Sequence, residues 1–108
     1  MDKTARIREL NDAFRKSFVG GKVFVTEGVD GLSDTAKMAL LTKVRTFDDF
    51  HRDNDPHHEH DFVRVEQDCV IYYGKIDYYA TDMEGGSEDP ADPLQTVRVL
   101  TIMRADEY

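Results

Sequence analysis

A chain of 108 residues, 40% apolar and 10% aromatic, is globular rather than disordered and is expected to form one domain, residues 1–108. At this length about two-thirds of the unfolded surface is buried on folding, so neither a disulfide nor a metal is required. A net charge of −8, from 22 acidic and 14 basic residues, repels phosphate backbones and argues against direct nucleic-acid binding.

The opening stretch, MDKTARIREL, lacks the apolar core of a signal peptide, and no apolar run approaches the about 20 residues of a membrane span. Cys69 is the lone cysteine, so no internal disulfide forms, which suits a reducing cytoplasm. Asp2 to Phe18 reads as an amphipathic helix: Ile7, Leu10, Phe14 and Phe18 recur at three- and four-residue steps. Arg6, Arg8, Arg15 and Lys16 fall mostly outside that stripe, and Gly20-Gly21 ends the helix. Lys22 to Thr26 is a short strand, bounded by Gly28 and Gly31. Ser33 caps a second helix, with Asp34 at its positive end. This helix runs to about Phe47, with Met38, Leu41 and Val44 turned inward and Leu40 a further candidate.

Thr46 to Asp61 has no periodicity and contains the turn signal Asn54-Asp55-Pro56. Phe62 to Glu66 alternates as a strand, and Gln67-Asp68 turns the chain. Cys69 to Tyr79 is the strongest strand, with Cys69 as a packed small hydrophobe at its start. One face carries Val70, Tyr72, Ile76 and Tyr78; the other carries Ile71, Tyr73, Lys75, Asp77 and Tyr79. Gly74 marks a bulge or a close backbone approach. Ala80 to Leu94 is an acidic loop, and Thr96 to Met103 is a last strand, apolar on both faces and therefore central. The order α-β-α-β-β-β predicts an α+β fold: a four-stranded, mainly antiparallel sheet with two helices packed on one face.

Charge is local: residues 1–47 are roughly neutral, whereas 48–61 and 82–93 are strongly acidic. All four histidines fall between His51 and Asp61. His57 and His60, three apart, are weak metal candidates, because a structural zinc site draws ligands from two segments, often with cysteine. Calcium would need alternating oxygen ligands with a central glycine, a spacing absent here. A solvated polar loop whose end, Glu59-His60-Asp61, anchors the next strand is the preferred reading, with no metal and no cofactor. Chemistry, if any, would use His60 as general base, oriented by Glu59 or Asp77, together with Asp61, Lys75 and Asp77. Lys75 and Asp77 share a strand face one pleat apart, and an ion pair is the commoner reading of that arrangement. In the acidic loop, Asp82, Glu84, Glu88, Asp89 and Asp92 can imitate a run of phosphates toward a basic protein surface, while Asp89-Pro90 and Asp92-Pro93 start turns.

The stretches NDP (Asn54–Pro56), EHDF (Glu59–Phe62), KIDYY (Lys75–Tyr79), EDPADP (Glu88–Pro93) and RVLTIMRADEY (Arg98–Tyr108), in this order, resemble a small bacterial family classed as a domain of unknown function, number 3768. The resemblance implies proteins of similar size, many on plasmids and other mobile elements, and brings no activity, cofactor or catalytic residue. His57-His58 departs from the family pattern, which has an aromatic-glycine pair there. Together these features predict a small acidic cytoplasmic protein, non-enzymatic, that binds a protein partner with a basic surface as a regulatory or anti-defence module of a mobile element. A small hydrolase or nuclease using His60, Asp61, Lys75 and Asp77 is the alternative, and metal-dependent folding through the histidine loop is a third. An exposed edge or face with Tyr73 and Tyr79 would favour a homodimer.

Overall fold

The computed structural model describes residues 2–108. Helix α1 spans Lys3–Ser17, and Asp2 caps it by accepting a 2.7 Å hydrogen bond from the Ala5 amide. Its C-terminus is set by Phe18, which adopts the left-handed conformation with φ 60°, so the helix closes two residues before the glycine pair expected to end it. Strand β1 (Gly21–Val25) follows, then a one-turn helix α2 (Glu27–Asp30) that sequence periodicity could not reveal at four residues. Ser33 caps α3 (Asp34–Thr46) as expected, accepting from the Ala36 amide at 3.1 Å. Strands β2 (Phe62–Gln67), β3 (Val70–Tyr79) and β4 (Val97–Arg104) complete the sheet, and a 3-10 turn (Ala105–Glu107) ends the chain. Among the described residues no helix is long and apolar enough to cross a membrane.

The sheet order is β1-β4-β3-β2. The β2-β3-β4 meander is antiparallel, but β1 joins β4 in parallel, so the sheet is mixed rather than mainly antiparallel. The reason is connectivity: the chain leaves β1 through helices, and a helical crossover permits parallel pairing where a tight turn cannot. β4 is central, as its two apolar faces require.

Helices α1 and α3 cover one face. Phe14, Leu40 and Val44 pack there with Val63, Val65, Tyr72, Ile76, Leu100 and Ile102, and Val29 of α2 joins the same cluster. Leu40 is fully buried, whereas Met38, expected inward, is 63% exposed. Gly74 sits in an unbroken register, and a Cβ there would lie 2.8 Å from a Val63 methyl; of the two readings of this glycine, close approach holds and a bulge does not. The β2–β3 turn is Asp68-Cys69, both at positive φ (52° and 64°), a two-residue hairpin turn of the primed kind. Cys69 is therefore an exposed turn residue, not a packed strand residue.

Candidate functional site

Helix α1 puts two polar residues where its apolar stripe should be. Ile7, Asn11, Phe14 and Arg15 are the buried residues of this helix, and Asn11 and Arg15 are 0% and 1% exposed. Burial of such groups requires partners. Asn11 has three. Its amide nitrogen donates to the Glu59 carbonyl (3.0 Å) and to the Tyr78 hydroxyl (2.8 Å). Its amide oxygen accepts from Nε of Arg98 at 2.7 Å. The Tyr78 hydroxyl in turn donates to the Glu59 carboxylate at 2.6 Å, so the tyrosine extends the network to that side chain. The buried Arg98 guanidinium also donates to the Pro90 carbonyl and lies 5.3 Å from the centre of the Tyr78 ring.

The next residue of α1, Asp12, accepts from Nη1 of Arg15 (3.1 Å) and from Nδ1 of His60 (2.8 Å). Nε2 of His60 faces the buried Asp55 carboxylate at 3.5 Å, and Asp55 also accepts from the His60 amide at 3.1 Å. The imidazole stacks on Phe50, rings 3.7 Å apart and nearly parallel. Arg15 reaches the Phe47 carbonyl and the Phe50 ring, and Arg8 donates to the His58 carbonyl at 2.9 Å. Residues 47–60 are thereby stitched along α1. His58 and His60 both take positive φ (59° and 55°), a conformation that costs energy outside glycine and is held here by these contacts. The expectation of a solvated loop holds for Asp48, Asp49, His51, Arg52, Asp53 and Pro56 to His58, which are exposed, and fails at Asp55, which is buried against His60, and at Glu59 and His60, which are half-buried against Tyr78 and Asp12.

The environment shifts titrations accordingly. Burial, then the hydrogen bond to Glu59, pushes the Tyr78 hydroxyl far above the ordinary tyrosine value. Burial lowers Arg98, which as an arginine stays charged. Asp61 is pushed above the usual carboxylate range, mainly by burial and then by Glu59 and Asp55.

The residues nominated by sequence are divided by the sheet. Asp61 lies opposite Ile76, whose amide donates to the Asp61 carbonyl at 2.8 Å, so it shares the helix-covered face with His60. Lys75 and Asp77 lie on the other face, as a half-exposed ion pair at 3.3 Å that holds the lysine above its usual value. They line a shallow hollow of about 210 Å³ with Thr101, Met103, Glu107 and Tyr108. The structure therefore brings His60 to Asp61 and Lys75 to Asp77, and does not bring the two pairs together. Chemically, His60 with Asp12 on Nδ1 has the arrangement of a general base, yet its Nε2 faces Asp55. His57 is exposed, and among the described residues no group of three or more His, Cys, Asp or Glu side chains is placed to hold a metal.

The loop from Ala80 to Thr96 behaves differently. Asp82, Asp89 and Asp92 accept from the amides of Glu84 (2.9 Å), Ala91 (3.3 Å) and Leu94 (2.9 Å). Asp92 also takes Gln95, and these bonds hold its carboxyl below the usual range, with Gln95 the larger cause. Ser87 and Thr96 close the loop across 2.7 Å, and Lys3 reaches Asp89 at 3.5 Å. Asp82, Glu84 and Glu88 remain exposed.

Sequence reasoning missed Asn11, Asp12 and Arg98 and placed Arg15 outside the stripe. The signal was present: Ile7, Asn11, Phe14, Arg15 and Phe18 follow helical spacing, and Arg98 alternates with Leu100 and Ile102.

In comparison with known proteins, residues 25–107 match a family model described as Protein of unknown function (DUF3768). The match takes in Asp55, Glu59, His60, Tyr78 and Arg98 and begins after α1. No curated protein and no solved structure matches.

Proposed function

We propose, from the premise that the chain belongs to the family described as Protein of unknown function (DUF3768), that it is a non-enzymatic binding module for a protein with a basic surface. One observation carries this reading. Asp82, Glu84 and Glu88 stand in water on a loop that is itself fastened to the frame, through Pro90 on Arg98, Ser87 on Thr96 and Asp89 on Lys3. Charge presented on an ordered loop loses little entropy when a partner docks, and it steers association with a basic surface. The groups that chemistry would use are, by contrast, occupied by one another: Tyr78 by Glu59 and Asn11, and His60 by Asp12 and Asp55. The resemblance to plasmid-borne proteins supports a cytoplasmic regulatory or anti-defence role within a mobile element.

The test is capture from cytoplasmic extract on the immobilised chain at low and high salt, beside a variant carrying Asp82→Asn, Glu84→Gln and Glu88→Gln. A partner held by exposed charge is retained at low salt, released as salt rises, and lost by the variant. A partner retained equally by both chains at every salt concentration overturns the assignment to this loop.

A further inference from the structure

The two edges of the sheet are built differently. On β2, Val63 and Val65 point inward while Arg64 and Glu66 are exposed. Helix α3 overhangs that strand: the Lys43 ammonium donates to the Glu66 carbonyl at 2.9 Å, and the Gln67 amide donates to the Ala36 carbonyl at 2.9 Å. Charge and cover of this kind keep a strand from pairing with another chain. β1 has neither. Its sequence, Gly21-Lys22-Val23-Phe24-Val25, carries one charge, no proline and no bulge, and it pairs with β4 in continuous register on one side only. Phe24 is 53% exposed and Val25 37%, and Val19, just before the strand, is 76% exposed. Apolar exposure along an open, regular edge is a template for a further strand.

We infer that the occupant is a second copy of this chain, paired antiparallel through β1 about a two-fold axis at Val23, so that two four-stranded sheets become one. Two features of the strand select this arrangement. In that register Lys22 of one copy lies opposite Phe24 of the other, and Gly21 lies opposite Val25. All five residues pair, no like charges meet, and each ammonium lies beside an aromatic ring. Centring on Lys22 instead would set lysine against lysine. The second feature is the position of the acidic loop. Gly21 pairs with Arg98, whose guanidinium holds Pro90 of that loop, so the loop lies at the Gly21 end of the strand. Antiparallel pairing sends the two acidic loops to opposite ends of the joined strands, about 13 Å apart along the strand alone at about 3.3 Å per residue. That exceeds the Debye length of about 8 Å at physiological salt. Parallel pairing would bring the loops together.

A five-residue ladder is a small contact, so association depends on concentration. It strengthens with salt, which screens the −8 carried by each copy. Capture of a basic partner by the acidic loop responds to salt in the opposite sense, which keeps the two proposals separable. Sedimentation velocity of the full chain across a dilution series, at low and high salt, reads the equilibrium. The mass moves from monomer toward dimer as concentration rises. Two substitutions at the exposed Phe24 then test the register, with circular dichroism confirming an unchanged fold. Phe24→Lys places a cation against Lys22 at both ends of the interface and weakens the dimer about tenfold or more. Phe24→Glu removes the same ring but offers Lys22 an opposite charge, and the dimer persists. A monomer throughout the series overturns the proposal, and so does an equal effect of the two substitutions.

Discussion

Residues 48–61 and residues 82–93 are alike in composition, both acidic and both containing Asp-Pro turns, yet they fold on opposite principles. The first fastens two of its carbonyls and the His60 ring to α1, with Asp55 buried against His60 and Glu59 half-buried against Tyr78. The second turns its carboxylates onto its own backbone and leaves Asp82, Glu84 and Glu88 in water. What separates them is the supply of partners elsewhere in the chain. Arg8, Asn11, Asp12 and Arg15 line the side of α1 that meets the first segment. Only Lys3 of α1, through a largely exposed ion pair, reaches the second among the salt bridges of the described residues. A polar segment's fate is thus decided by what a distant helix offers it, and local composition does not carry that information.

Asn11 is where the contrast breaks most visibly. Asn11→Ala removes the donor to Glu59 and Tyr78 and the acceptor of the buried Arg98. It leaves a buried cation short of a partner and unfastens the inward segment. We expect a loss of about 3 kcal/mol in urea unfolding, at an unchanged slope. A loss below about 1 kcal/mol would mean that the inward segment is held by its apolar contacts, Phe50 above all, and that the polar network is incidental.

Tyr78→Phe is the next largest, at about 1–2 kcal/mol, because the hydroxyl both donates to Glu59 and accepts from Asn11. It also carries a pH signature. The folded protein holds this hydroxyl neutral well above the ordinary tyrosine value of 10.0, at which the unfolded chain ionises. The raised folded value means that its contribution is complete below pH 10.0 and declines as pH climbs beyond it. The stability gap between wild type and Tyr78→Phe should accordingly be constant through neutral pH and shrink in alkali. A gap that widens in alkali contradicts the neutral, buried hydroxyl.

Much of the fold is legible in the residues themselves. The alternation of Val70, Tyr72, Ile76 and Tyr78 against Tyr73, Lys75, Asp77 and Tyr79 assigns the faces of β3 correctly, and the two-sided apolarity of β4 gives its central place. Ser33 announces α3. The parallel pairing of β1 is not legible, since nothing in five residues states which strand they will join or in which direction. The network was half-legible. Helical spacing puts Asn11 and Arg15 on the buried stripe, but a pattern that sorts residues by hydropathy treats them as exceptions instead of asking what they bind. His60 was singled out, yet its partners Asp12 and Asp55 come from two places in the chain that only the packed helix unites.

His58 sharpens the comparison in the stabilising direction. Its side chain is exposed, and its service to the fold is its carbonyl, which accepts from Arg8, together with a left-handed backbone at φ 59°. Glycine keeps both. The left-handed conformation costs a side-chain-bearing residue about 1–2 kcal/mol, while the extra chain freedom of glycine costs about 0.5–1 kcal/mol. His58→Gly should therefore raise stability by about 0.5–1 kcal/mol, read as a shift in the urea midpoint. His60→Gly should do the reverse despite the same backbone geometry, because its ring binds Asp12 and stacks on Phe50. Equal signs for the two would show that backbone strain, and not the contacts of the ring, governs this segment.

The smallest effect on stability belongs to the outward loop and carries the most functional weight. The side chains of Glu84 and Glu88 are exposed and make none of the bonds that shape the loop, whose side-chain partners are Asp82, Asp89, Asp92, Ser87 and Thr96. Glu84→Gln with Glu88→Gln should change unfolding free energy by less than about 0.5 kcal/mol. It should nonetheless weaken capture of a basic partner at low salt, since the substitution removes charge and nothing else. If the pair destabilised the protein as much as Asn11→Ala does, the outward segment would be as integral as the inward one and its charges could not be free for a partner. If stability were untouched and capture unchanged, the exposed carboxylates would serve solubility alone, and the binding surface would have to be sought on the uncovered sheet face around Tyr73 and Tyr108.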